Sequence, residues 1–300
     1  MSPIRAKAVG LFVFLFLMVV VTPSFGITDS RPSTSVLLIV WDGVSGSVVR
    51  ELLTSGALPN LASLASVASL TIRRTEIVAT SVQVSTMLTG YLMRTHGVIA
   101  MPRHPQPILP IHDGWTIYER LKARFGTHGI MTAHIVAKPG WLSRPFLNAK
   151  PEIDIWFAER IPAEDLAPYV LQAIDTFHDN RFFIYSHFND PDEIGHIYGV
   201  ESPEYRNAII ACDSILGQIL ERLEYWQIAP KTRVVVTSDH GFGNPEPTGH
   251  MYSYGTFVAA DAAAIQSNAY MEDVCPTLYM EFGIYYNIYT PPLPGKPLWS

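Results

Sequence analysis

Residues 35–40 (S-V-L-L-I-V) run without the polar alternation of a half-exposed strand and stop at Trp41-Asp42-Gly43. Such a run fits a strand buried on both faces, which requires a sheet covered on both sides. Residues 182–185 and 233–237 (R-V-V-V-T) behave alike, and 129–134 is strand-like. Helical periodicity occupies about 45–55, 61–68, 117–125, 163–178, 205–226 and 270–282. Buried strands alternating with helices predict an α/β fold: a three-layer α/β/α sandwich with a mostly parallel central sheet. The length of 300 residues suits one such domain over 27–300. Its proline-rich tail, 290–300, is expected to lie extended on the surface.

The first residues predict export. Arg5 and Lys7 precede an apolar run at 8–21, Thr22-Pro23-Ser24 breaks it, and Ser24-Phe25-Gly26 offers small residues to a signal peptidase. As a helix the run spans about 21 Å, against a hydrocarbon core of about 30 Å. The expectation is a signal peptide at 1–26 and a periplasmic, secreted or cell-envelope protein, in contact with a membrane only if that segment stays uncleaved. A net charge of −6 offers no basic face to a nucleic-acid duplex. Cys212 and Cys275 sit in apolar, helix-like stretches that suit buried thiols as well as a single disulfide.

Polar residues gather just after the apolar runs, where open α/β sheets bind ligands. Asp42 follows the first run. Thr80 opens T-S-V-Q-V-S-T-M-L-T-G, with Thr95-His96-Gly97 close behind. Asp192 and His196 lie in N-D-P-D-E-I-G-H, Asp239 and His240 in V-T-S-D-H-G, and His250 in T-G-H. Each piece alone has an ordinary reading as a turn, a helix cap or a surface histidine. Together, three carboxylates and three imidazoles make a natural ligand set for two divalent ions.

These motifs, in this order, resemble the alkaline phosphatase superfamily, and most closely its type I phosphodiesterase/nucleotide pyrophosphatase family. The resemblance rests on Asp42-Gly43, Thr80 through Thr89-Gly90, His96-Gly97, Pro191-Asp192 with Gly195-His196, and Ser238-Asp239-His240-Gly241. Residues 273–278 (D-V-C-P-T-L) are similar to the superfamily's closing helix. The resemblance spans about 35–283. It implies an alkaline phosphatase-like fold and a phosphoric ester hydrolase acting on a small-molecule phosphate ester, with a phosphothreonine formed at Thr80. It further implies two divalent ions, zinc being expected: one on Asp42, Asp239, His240 and the Thr80 oxygen, the other on Asp192, His196 and His250.

The sequence also departs from that family. Ser81-Val82-Gln83 replaces its Phe-Pro-Asn, and Met101 stands where it has an asparagine that donates to a phosphoryl oxygen. Arg103, His104 and Lys138 are the candidates to supply that donor, so Lys138 and Arg103 are read as substrate-binding. His250 follows His240 by only ten residues, so the large insertions of bigger members are absent. With no arginine directly after Thr80, cations near the nucleophile look few, and diesters are expected over monoesters. Residues 115–122, with Lys138 downstream, are sulfatase-like, but no proline or arginine follows Thr80 at sulfatase spacing. The rivals are a phosphoethanolamine-type transferase, a phosphomonoesterase, a sulfatase and a non-catalytic scaffold. His187 reads either as a group orienting the site or as a core histidine.

Overall fold

The computed structural model describes residues 35–99, 108–262 and 264–299. The leader at 1–26, Met101, Arg103 and His104 lie outside them.

Among the described residues, eight strands form one sheet. They are β1 (Ser35–Trp41), β2 (Ser66–Thr71), β3 (Met131–Val136), β4 (Ile155–Ala158), β5 (Phe182–Phe188), β6 (Thr232–Thr237), β7 (Gly255–Ala260) and β8 (Ala269–Tyr270). The spatial order is β4-β3-β5-β1-β6-β7-β2-β8. β1 pairs in parallel with β5 and β6, and β7 runs antiparallel to both β6 and β2. The helices are α1 (Gly46–Thr54), α2 (Pro59–Ala62), α3 (Thr80–Thr89), α4 (Met93–His96), α5 (Ile117–Phe125), α6 (Pro139–Leu142), α7 (Ala163–Phe177), α8 (Asp190–Tyr198), α9 (Pro203–Tyr225) and α10 (Val274–Glu281).

β1 explains the layering. Side chains alternate across a strand, so Leu37, Ile39 and Trp41 enter a core shared with α1, α7 and α9, while Val36, Leu38 and Val40 enter one shared with α3, α5 and α10. All seven β1 residues are buried. The result is the expected α/β/α sandwich with a mostly parallel sheet.

Three expectations change. The apolar pattern at 61–68 is not one helix: α2 ends at Ala62, and β2 begins at Ser66 with exposed and half-buried residues alternating. That alternation marks a strand open on one face. Strands β4 and β7 lie in segments that carried no strand signal. The tail is not a free surface segment. Leu298 and Trp299 are buried, and Trp299 Nε1 donates to Glu281 Oε1 at 2.7 Å. Cys212 and Cys275 are free, buried thiols on α9 and α10.

Candidate active site

Four strand ends and one helix start converge at the carboxyl edge of the parallel strands. β1 delivers Asp42, whose N–H donates to the Phe188 carbonyl at 2.9 Å. The next residue, Gly43, turns sharply at φ +68°. Its N–H donates to Asp239 Oδ1 at 3.2 Å, and Tyr205 Oη donates to its carbonyl at 2.7 Å. Beyond it, the Val44 N–H donates to Ser238 Oγ at 2.8 Å. β6 delivers Asp239 and His240, both fully buried. β5 runs into α8, whose first turn carries Asp192 with His196 one turn later on the same face. β3 leads to Lys138, just ahead of Pro139 at the start of α6.

Thr80 is the first residue of α3, after Ala79, and no side chain caps this helix. The first N–H groups of a helix lack intrahelical partners and carry partial positive charge, which suits an anion. All ten α3 residues are buried. Its hydroxyls are mostly satisfied one turn back: Ser85 donates to the Ser81 carbonyl at 2.6 Å, Thr86 to Val82 at 3.2 Å and Thr89 to Ser85 at 2.7 Å. Thr80 is different, because its Oγ1 faces Lys138 Nζ at 3.1 Å.

The histidines are oriented by the backbone. His240 Nδ1 lies 2.9 Å from the Gly241 carbonyl and His196 Nδ1 2.9 Å from the Thr248 carbonyl. A carbonyl only accepts, so each proton sits on Nδ1 and Nε2 turns to the carboxylates. His240 Nε2 is 3.4 Å from both Asp42 Oδ1 and Asp239 Oδ2. His196 Nε2 is 3.5 Å, and His250 Nε2 3.9 Å, from Asp192 Oδ1. Against the effect of its burial, Asp239, Asp42 and Asp192 raise His240, so these pairings call for positive charge, carried either by the imidazole or by a cation between the groups. Asp42 Oδ1, Asp192 Oδ1, Asp239 Oδ2 and His240 Nε2 are all buried without a hydrogen-bond partner. This donor chemistry fits divalent metal.

Two groups of three donors have their atoms within 4.8 Å of one another: Asp42, Asp239 and His240, and Asp192, His240 and His250. One Nε2 serves one ion, so His240 cannot complete both. His196, beside Asp192, is the imidazole positioned to take its place in the second group. Its side chain is also the more open, at 46% exposed against 20% for His250.

The charges are strongly coupled. Burial pushes Asp239 up to about 6, with Asp42 adding to the effect. Burial and then Asp192 also raise Asp42. Asp192 goes the other way: burial opposes its ionisation, but Lys138, His240 and His250 outweigh it and hold the carboxyl below its usual range. Both carboxylates lie 2.7 Å from the same ammonium. They diverge because burial and the Asp192 charge dominate at Asp42, whereas Lys138, His240 and His250 together outweigh burial at Asp192. Burial works to lower Lys138, yet Asp42, Asp192 and Asp239 raise it. His187, buried on β5, has Nε2 3.7 Å from Asp42 Oδ2 and is lowered to about 4 by burial.

Thus Asp42, Thr80, Lys138, Asp192, His196, Asp239, His240 and His250 share one site. The sequence could not show that Lys138 touches the Thr80 oxygen, nor that Tyr205 and Ser238 brace the Asp42 turn. Those contacts join segments far apart in the chain.

Residues 36–276 match the type I phosphodiesterase/nucleotide pyrophosphatase family. Human ectonucleotide pyrophosphatase/phosphodiesterase family member 7 is 36% identical over 55 residues, 18% of this chain and 12% of that protein. The matched segment is therefore a small part of that relative's length. Among solved structures, the alkaline phosphatase of the Antarctic bacterium TAB5 superposes with a TM-score of 0.61 at 14% identity, covering 84% of this chain and 98% of that one. Murine ectonucleotide pyrophosphatase/phosphodiesterase 5 superposes with a TM-score of 0.59 at 14% identity, covering 83% and 95%. At these identities the superpositions speak for the fold.

Proposed function

The chain belongs to the type I phosphodiesterase/nucleotide pyrophosphatase family, and from that premise we propose that it is an exported, metal-dependent phosphodiester hydrolase with Thr80 as nucleophile. The observation that carries the reading is the position of Thr80 Oγ1: at an uncapped helix start, 3.1 Å from Lys138 Nζ, beside the carboxylates and imidazoles described above. The murine relative has been solved as an inactive threonine-to-alanine variant with AMP, and a histidine-to-aspartate variant of the Antarctic phosphatase with magnesium. Both support the comparison. Export rests on the leader at 1–26, with 27–300 as one catalytic domain. Among the described residues no helix is long and apolar enough to cross a membrane.

In this reading Asp42, Asp239, His240 and the Thr80 oxygen hold one divalent ion, and Asp192, His196 and His250 the other. When bound, the ions, read as zinc, supply positive charge that eases ionisation of the threonine hydroxyl and stabilises the leaving oxygen. Thr80 Oγ1 attacks phosphorus in line. The Oγ–P bond forms as the P–O bond to the leaving alcohol breaks, and the electron pair departs with that oxygen. The threonine proton passes to solvent, and the leaving oxygen takes one up. Water then attacks the phosphothreonine, the P–Oγ bond breaks and the hydroxyl is restored. The first N–H groups of α3 would donate to the phosphoryl oxygens, and the Gly241 and Thr248 carbonyls keep His240 and His196 in the required tautomer.

The test is Thr80→Ala in the metal-loaded protein, with bis(4-nitrophenyl) phosphate as substrate. Turnover should fall by about a thousandfold or more while the fold is retained. Near-normal turnover would remove Thr80 from the mechanism.

A further inference from the structure

Lys138 reaches the nucleophile from a segment that carries none of the candidate metal ligands. Its Nζ donates to Asp42 Oδ2 and Asp192 Oδ2 at 2.7 Å each and to Thr80 Oγ1 at 3.1 Å. The other oxygen of each carboxylate is the one that faces the candidate metal-ligating imidazoles, His240 at Asp42 and His196 at Asp192, while His187 lies 3.7 Å from the Asp42 oxygen that Lys138 uses. The ammonium and the two donor groups therefore use different oxygens of the same carboxylates, and one does not displace the other. Lys138 lies between β3 and Pro139, the first residue of α6.

We propose that Lys138 is the specificity-determining cation of this site, and that it admits doubly charged phosphate monoesters alongside diesters. The inference rests on the hydrolase reading above. A phosphoryl group seated on Thr80 Oγ1 brings its non-bridging oxygens to an ammonium 3.1 Å from that atom. An ammonium has three donors. As Oγ1 bonds to phosphorus, the donor it shared with Lys138 passes to a phosphoryl oxygen, while the two carboxylates keep the other donors. A monoester carries close to two negative charges at neutral pH and a diester one. Coulomb attraction to one fixed positive charge is therefore about twice as large for the monoester. A lysine that merely balanced Asp42 and Asp192 would affect both esters alike.

The experiment uses the full, metal-loaded chain and two variants, Lys138→Met and Lys138→Arg, with metal content measured for each. 4-Nitrophenyl phosphate and bis(4-nitrophenyl) phosphate share a leaving group, and inorganic phosphate is titrated by calorimetry. Lys138→Met should lower kcat/KM for the monoester at least tenfold more than for the diester. It should weaken inorganic phosphate binding at least tenfold. Lys138→Arg keeps the charge and should keep the monoester-to-diester ratio within threefold of the unmodified protein. The proposal is overturned if Lys138→Met leaves that ratio within threefold at equal metal content, or leaves phosphate binding unchanged. Should the methionine variant lose metal or fail to fold, a third variant, Lys138→Gln, takes its place under the same two outcomes. If the unmodified protein turns over neither ester, the hydrolase reading fails, and the phosphate titration alone then judges Lys138.

Discussion

Gly43→Ala should strike the fold and the Asp192 group together. Gly43 has φ +68°, a conformation that disfavours any side chain by about 1–2 kcal/mol. A Cβ there would stand 2.9 Å from Asp192 Oδ1, 3.0 Å from its Cβ and 3.1 Å from its Cα. Neither side can yield easily. Gly43 is tied through its N–H to Asp239 and through its carbonyl to Tyr205, and Asp192 is tied to Lys138. Overpacking of this kind costs about 1–3 kcal/mol, so the combined loss is about 2–5 kcal/mol. Gly56→Ala is the matched control. Its φ is +77°, and nothing lies within 4 Å of the added carbon, so only the backbone component of about 1–2 kcal/mol remains. Denaturant unfolding of both variants isolates the collision. Calorimetric zinc titration should also show weaker binding at the Asp192 group in Gly43→Ala alone. Equal destabilisation of the two variants, with unchanged zinc binding, would refute the reasoning.

Two further outcomes follow from the same geometry. His250→Ala should weaken one of two bound ions and lower activity, with partial recovery in excess zinc; two tightly held ions and full activity in that variant would exclude His250 as a ligand. His96 is lowered to about 3 by burial, and its Nδ1 accepts from the Val98 N–H at 3.0 Å. The folded state therefore refuses a proton that the unfolded chain takes up near 6.5, so this contribution is complete above 6.5 and is lost as pH falls toward 3. Replacing His96 by Gln should make stability less steep between pH 6 and 4, by about 1.4 kcal/mol per unit; an unchanged slope would count against the buried neutral imidazole.

The parts of this molecule that could be read from sequence are those whose burial is uniform. β1 and β5 are buried along their length and β6 at every residue but Arg233, and their apolar runs announce them. β2 is half-exposed, and β4 has no fully buried residue, so neither produces a run. β7 owes its burial to its neighbours, since G-T-F-V-A-A is short and built largely of small residues. α3 is hidden for another reason. Its hydroxyl-rich, fully buried sequence has no polar face, and only the back-bonded Ser85, Thr86 and Thr89 make it tolerable as a helix. Within the site, Asp42, Thr80, Asp192, Asp239 and His240 could be anticipated because each lies beside a strand or helix boundary. Lys138 was legible only as a cation of uncertain reach. Its contacts with Asp42, Thr80 and Asp192 join positions 96, 58 and 54 residues apart.

The central place of β1 has a consequence for how the chain is made. Its two neighbours are β5 and β6, so Leu37 waits for Ile184 on one side and Val234 on the other. During synthesis, β1 is the first of the described strands to emerge, and it is an apolar segment without its native partners until β5 and β6 have followed. Pairings this distant in sequence slow folding and lengthen the interval in which a sticky edge is available to other molecules. A nascent chain of this design is at its most vulnerable early, and a chaperone that covered residues 35–41 would protect the segment on which the whole sheet is later assembled.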